Sequence, residues 1–178
     1  MTIMDLKKFI RSIPDYPKKG ILFRDITTLI KDEKAFAETI NQIVEKSKKF
    51  EFDKIAAIES RGFVFASAVS YILNKPFIML RKKNKLPADV HSVDFELEYG
   101  TATIEVHKDS INSGEKILII DDLIATGGTA EAAAKLVEIS KGKVAAFIFV
   151  INLFDLGGCK SLSDKSYKVE NLIEFPGH

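Results

Sequence analysis

The chain has a single cysteine, Cys159, so no disulfide can form within it and the small, disulfide-held class of secreted domain is excluded. Nor is there an excess of charge. Lys and Arg number 26 against 25 Asp and Glu, a formal net charge of +1, which leaves no footprint for general nucleic-acid binding and confines basic groups to local work. No apolar run of bilayer-spanning length and no charged-then-apolar leader occur, so no membrane partner is expected and a cytoplasmic location is. The three histidines, His91, His107 and His178, lack a second ligand at metal spacing, and no catalytic or metal role is expected of them. Repeats, low-complexity tracts and linkers are missing too. At 178 residues this predicts a single domain, 1–178, with room for a large core.

What the chain does have is concentrated between Ile117 and Thr129. Ile117-Leu118-Ile119-Ile120 is a run of four apolar residues, the pattern of a strand covered on both faces, as in a parallel sheet. Asp121 and Asp122 end it. Ala125-Thr126-Gly127-Gly128-Thr129 follows and opens into a helix-forming stretch, 130–139, so free backbone N–H groups and the positive helix end converge on the loop as an anion site. Gly127 and Gly128 let the backbone approach the anion, and Thr126 and Thr129 add hydroxyl donors. No lysine follows the glycines and no G-x-G-x-x-G follows the strand, which excludes a nucleotide P-loop and a dinucleotide-binding turn. Asp121 and Asp122 would repel a phosphate. They are expected instead to accept hydrogen bonds from vicinal ribose hydroxyls and to hold a metal's water shell. The residues by themselves leave two other readings open: an ordinary strand, turn and helix with a solvated acidic pair, or an acidic phospho-acceptor pocket.

Around this segment strands and helices alternate. Phe36, Ile40, Ile43 and Val44 recur at helical spacing after Asp32, a cap, with Lys46, Lys48 and Lys49 at the carboxyl end. Residues 54–58 and 76–80 read as strands, 63–73 as a helix, 144–153 as a long apolar run and 167–175 as an edge strand. Between 93 and 107 the pattern changes to strict alternation: Val93, Phe95, Leu97 and Tyr99, then Ala102, Ile104 and Val106. This predicts a half-exposed antiparallel hairpin. Ser60-Arg61-Gly62 lies where a strand meets a helix, suited to an anion. Phe23 beside Arg24 suggests an aromatic face for stacking on a planar base.

Together these segments resemble the type I phosphoribosyltransferases. The run ending at Thr129 is similar to the family's signature for phosphoribosyl pyrophosphate (PRPP), and its Leu-x-Ala-Thr-Gly-Gly-Thr ending resembles the adenine-specific branch. Pro14-Asp15-Tyr16-Pro17 and Gly20-Ile21-Leu22-Phe23-Arg24-Asp25-Ile26-Thr27 resemble the amino-terminal region of that branch. Glu59-Ser60-Arg61-Gly62-Phe63, Arg81-Lys82-Lys83-Asn84-Lys85-Leu86-Pro87 and Leu97-Glu98-Tyr99-Gly100 follow in the family's order, so the resemblance spans about residues 9–158.

The resemblance implies an α/β fold with a central, mostly parallel sheet flanked by helices and an antiparallel flexible hood ribbon at about 82–107. It implies transfer of the 5-phosphoribosyl group from PRPP to adenine, giving AMP and pyrophosphate, with Mg2+ and in a homodimer. Asp121, Asp122, Ala125, Thr126, Gly127, Gly128 and Thr129 would bind phosphate and ribose, and Asp121 and Asp122 would hold the metal indirectly, through water and PRPP. Ser60, Arg61, Arg81, Lys82 and Lys85 would bind pyrophosphate, and Phe23, Arg24 and the Leu22 backbone would bind adenine. Glu98 would handle the proton of the attacking purine nitrogen and Tyr99 would help seal the lid. A hood suits the chemistry, because a ribosyl centre with oxocarbenium character must be kept from water. A non-proline cis peptide near Ser60 is also implied. Two alternatives share the fold: a PRPP-sensing regulator and a phosphoribosyltransferase for another base. Asn84 and Asn152 depart from the family's usual Gly and Glu, and residues 161–178 carry no assigned function.

Overall fold

A computed structural model describes residues 4–97 and 100–178. Its frame is a seven-stranded sheet. The strands are β3 (Lys54–Ile58), β4 (Phe77–Lys82), β5 (Val90–Leu97), β6 (Gly100–His107), β7 (Lys116–Ile124), β8 (Lys143–Leu153) and β9 (Val169–Phe175), in the order β5-β6-β4-β3-β7-β8-β9. From β4 to β9 all neighbours are parallel, whereas β6 runs antiparallel to both β4 and β5. Before the sheet, β1 (Arg11–Pro14) and β2 (Leu22–Asp25) pair as a separate antiparallel ribbon.

Helices cover both faces, and strand periodicity decides which side chain meets which helix. In β7, Leu118 and Ile120 pack with Ile55 and Ala57 of β3 against α2 (Glu33–Ser47) and α3 (Arg61–Leu73). Ile117 and Ile119 point the other way, with Ala56 and Ile58, onto α4 (Gly128–Ile139). Every one of these β7 residues is fully buried, which is why the run shows no alternation. The helix α4 meets the sheet through Ala130, Ala132, Ala133 and Ala134, small enough to bring its axis close. Two shorter helices, α1 (Thr27–Ile30) and α5 (Gly158–Asp164), complete the set. Asp32 caps α2, its carboxylate accepting from the Lys34 and Ala35 N–H groups at 3.1 and 2.9 Å.

The parallel sheet, the flanking helices and the 93–107 hairpin agree with the sequence reading. The helix read from 63 begins at Arg61, and β4 continues past residue 80 to Lys82, so both extend into segments read as loop. The β1–β2 ribbon was not anticipated. Among the described residues no helix is long and apolar enough to cross a membrane.

Candidate active site

Strand order creates the site. The crossover after β3 runs through α3 on one face and that after β7 through α4 on the other, so a crevice opens between the carboxyl ends of these adjacent strands. Residues 58–61 and 121–130, with Phe149, line a cleft of roughly 270 Å³ there. It gathers Ser60, Arg61, Asp121, Asp122, Ala125, Thr126, Gly127, Gly128 and Thr129, nine residues that the sequence separates into two segments.

The floor of the cleft is electrostatically tense. Asp122 is 4% exposed, and its N–H donates to Asp121 Oδ1 at 2.9 Å. Burial, and then the charge of Asp122, push the Asp121 carboxyl well above the ordinary range. Burial also raises Asp122, against the pull of Arg61. Arg61 Nε lies 2.8 Å from Asp122 Oδ2, yet that oxygen accepts no aligned hydrogen bond from the described residues. The contact is therefore an ion pair that leaves a buried acceptor open for a ligand's hydroxyl or a metal-bound water.

Glycines set the walls. A Cβ on Gly62 would stand 2.8 Å from Asp121 Oδ1, so α3 can start beside the acidic pair only with hydrogen at that position. Across the cleft, Gly158 donates its N–H to the Ala125 carbonyl at 3.0 Å, and a Cβ there would lie 2.4 Å from that oxygen. Gly158 thus braces the 125–129 loop by backbone contact alone. No side chain caps α4, whose first N–H groups remain available to an anion.

Arg61 also reaches toward the ribbon: its Cζ is 5.6 Å from the Phe23 ring centroid. Phe23 packs edge-on against Tyr16 at 5.2 Å and is half-buried on β2 with Leu22. Arg24 behaves differently. Its guanidinium is buried and directed at Ser12 Oγ and the Pro176 carbonyl, so only its main chain lies beside Phe23 on β2.

Glu59 is a participant that sequence reading missed. Its Oε2 accepts from Arg81 Nε at 3.2 Å and from the Lys82 N–H at 2.9 Å. Burial raises this carboxyl, but the Lys82 N–H and Arg81 outweigh burial and hold it below the ordinary range. Glu59 therefore ties the Ser60-Arg61 loop to the basic segment. Its position directly before Ser60, with Arg81 one register step beyond Leu80, the partner of Ile58, was the available signal. Lys82 and Lys85 are exposed outside the cleft, and the Lys85 carbonyl accepts from Arg81 at 3.3 Å. The Glu59–Ser60 peptide is cis. Glu98 and Tyr99 lie outside the described residues.

Over the cleft, the hood brings the Glu96 carbonyl to 3.4 Å from the position of a Cβ on Gly128. Its base is fixed by Glu105, 5% exposed, which accepts from the Asn84 N–H at 3.0 Å and Ser92 Oγ at 3.2 Å. Asn84 adopts φ +64°, a left-handed conformation that Asn tolerates where glycine is usual.

This geometry has close relatives. The phosphoribosyl transferase domain model matches residues 26–176. The adenine phosphoribosyltransferase of Pelagibacter ubique is 78% identical over 98% of this chain and 100% of its own length. That of Pelodictyon phaeoclathratiforme is 52% identical over 98% and 99%. Among solved structures, the adenine phosphoribosyltransferase of Thermoanaerobacter pseudethanolicus superposes with a TM-score of 0.93 at 46% identity, covering 98% of this chain and 100% of that one. The APRTase of Giardia lamblia, complexed with 9-deazaadenine, gives 0.90 at 32% identity over 98% of each chain. With a buried acidic pair, a glycine-braced loop opening into α4 and relatives matched along 98–100% of their length, the chain belongs to the phosphoribosyltransferase family, in its adenine phosphoribosyltransferase branch.

Proposed function

We infer that the protein transfers the 5-phosphoribosyl group of PRPP to adenine, giving AMP and pyrophosphate, a purine-salvage reaction. The observation that carries this reading is the bridge made by Arg61, between Phe23 at 5.6 Å and Asp122 at 2.8 Å, which joins an aromatic face to a ribose-phosphate floor.

The 125–129 loop and the α4 amides take the 5-phosphate, and Asp121 and Asp122 accept from the ribose hydroxyls, filling the open acceptor on Asp122. Arg61 and the Ser60 loop take the pyrophosphate. Arg81, steered by Glu59, adds charge at its edge. Adenine stacks on Phe23. Its N9 then forms the bond to the ribose C1′ while the C1′–O bond to pyrophosphate breaks, the electron pair leaving with pyrophosphate. The N9 proton passes to Glu98 on the hood. Positioning and charge neutralisation supply most of the rate.

Magnesium fits as a substrate-borne ion. The described residues hold no cluster of three or more His, Cys, Asp or Glu at ligand spacing, while the acidic pair can receive metal-bound water. Bound with PRPP, it offsets pyrophosphate charge. A homodimer is supported by apolar side chains that a lone chain leaves in water: Tyr71 at 88% exposure, Ile72 at 52% and Val64 at 37% on α3, with Met79 at 45% on β4.

The test is pyrophosphate release from PRPP and magnesium with adenine, hypoxanthine, guanine, xanthine or orotate, against a control without base. Turnover with adenine alone is expected. Turnover with another base overturns the base assignment, and PRPP binding without turnover makes the protein a sensor.

A further inference from the structure

The carboxyl-terminal segment, which no part of the reaction uses, meets the base-side ribbon at one point. Arg24, on β2 next to Phe23, is 7% exposed. Its Nη1 donates to Ser12 Oγ at 2.5 Å, within the ribbon, and its Nη2 donates to the Pro176 carbonyl at 3.0 Å. Its Cζ stands 4.5 Å from the Phe175 ring centroid. None of these partners is a carboxylate, so the fork is held by directional hydrogen bonds and a ring face. Such a contact fixes orientation, which an aliphatic residue of the same size would not.

The segment continues to a second anchor. Gly177 donates its N–H to Asp155 Oδ1 at 2.6 Å, in the short turn at Phe154–Leu156. That turn leads into Gly158, whose N–H braces Ala125 in the phosphate loop. The ribbon and the 125–129 loop of the cleft, far apart in the sequence, are thereby joined through the last residues of the chain.

Apart from this link, the ribbon is anchored at its two ends, by Ile10 and Ile26 in the core and by the Arg11 N–H donating to Thr28 Oγ1 at 3.3 Å. It has four paired positions, and β1 is mostly exposed. Pairs of short strands are marginal unless packed against something larger. Contacts of the Arg24 kind add an orientation to the middle of the Phe23 strand that its own four-residue pairing does not supply.

We propose that Phe175 to Gly177 form a clamp on the base site, with Arg24 as a positioning residue that sets the Phe23 strand for adenine. The proposal rests on the functional reading above. Arg24 acts through the strand: its side chain touches the tail and Ser12, while its neighbour Phe23 faces the cleft by way of Arg61.

Two variants test it. Arg24→Lys keeps the charge and loses the fork, and Phe175→Leu keeps an apolar strand end and loses the ring. Each is compared with the unaltered protein for KM of adenine, kcat, PRPP binding in the absence of base, and amide exchange over residues 11–25. The expected result is an adenine KM raised roughly tenfold by a displaced ring, with kcat and PRPP affinity held within about twofold, and faster exchange of the ribbon amides. Phe175→Leu, the milder change, carries the test if Arg24→Lys does not fold. An unmoved adenine KM, a loss of PRPP affinity by the same factor, or ribbon exchange at the original rate overturns the clamp. If the unaltered protein does not use adenine, the functional reading falls, and ribbon exchange in the variants still decides whether the tail holds the ribbon.

Discussion

The floor of the cleft and its cover are built on opposite principles. The floor, at the end of β7, is pressed between two core layers, and its loop is braced by a glycine in backbone contact with Ala125. The cover, β5 and β6, buries side chains only near its base, and β5 runs along α4 with the Glu96 carbonyl beside Gly128. Val93, Ile104 and Val106 are buried near its base, whereas Glu96, Leu97, Gly100 and Thr101 are exposed toward its tip. Local stability follows burial, so the floor is expected to open only with the whole fold, and the exposed outer ends of β5 and β6 at lower cost. Binding PRPP needs a fixed array of donors, and admitting it needs a cover that moves.

Removing a group from the cover alone gives the sharpest separation. Glu98→Gln removes the carboxylate proposed above as proton acceptor and leaves the floor untouched, so adenine turnover should fall by roughly 10²–10⁴-fold while PRPP binding, measured directly, persists. Unchanged turnover would show that the cover contributes no proton chemistry. The converse change is Gly158→Ala. Its methyl would meet the Ala125 carbonyl at 2.4 Å, displacing the phosphate loop, and PRPP affinity should drop about a hundredfold, with adenine turnover falling in step. Wild-type PRPP affinity in that variant would mean the floor is softer than its packing indicates.

These two regions were legible in the sequence to different depths. The β7 run could be read because both its faces are buried, and the β5–β6 ribbon because one face is, so their patterns differ in kind. The contacts that finish the site left no such trace. Glu59 meets Arg81 only because β3 and β4 run in register from Ile58 and Leu80, and Gly158 touches Ala125 across a gap of 33 residues that no periodicity spans. The β1–β2 ribbon has four-residue strands with Pro14, Pro17 and Gly20 in or between them, too short to show an alternation. Arg24 was legible as a neighbour of the aromatic Phe23, but its direction was not, because the Phe175 and Pro176 that receive it lie about 150 positions away.

The acidic pair extends the comparison to pH. The Asp121 carboxyl is raised by burial and by Asp122. As pH rises above the ordinary Asp value, about 4, the unfolded chain releases this proton and the folded chain does not. Stability is therefore lost through the window between the ordinary value and the raised one. Asp121→Asn removes that loss and should raise Tm at neutral pH, while weakening PRPP binding by about tenfold through loss of a charge-assisted acceptor. In the unaltered protein, magnesium–PRPP should bind with release of a proton over the same window, seen by calorimetry in buffers of different ionisation enthalpy. A lower Tm for Asp121→Asn would mean that the pair stabilises the empty fold.

The smallest effect is the one that isolates the cover. Leu97 is 48% exposed beside the tip, and Ile104, on the partner strand nearer the base, is 3% exposed. Truncating Ile104 to Ala removes buried methyl groups and should cost about 2–5 kcal/mol in urea unfolding. Truncating Leu97 should change stability by no more than about 0.5 kcal/mol. If the tip packed on the core in the empty protein, Leu97→Ala would approach the Ile104→Ala cost and the ribbon would have to break contacts to admit PRPP. A near-zero effect leaves the tip free before substrate arrives, so closing it can draw on binding energy without first repaying a closed resting state.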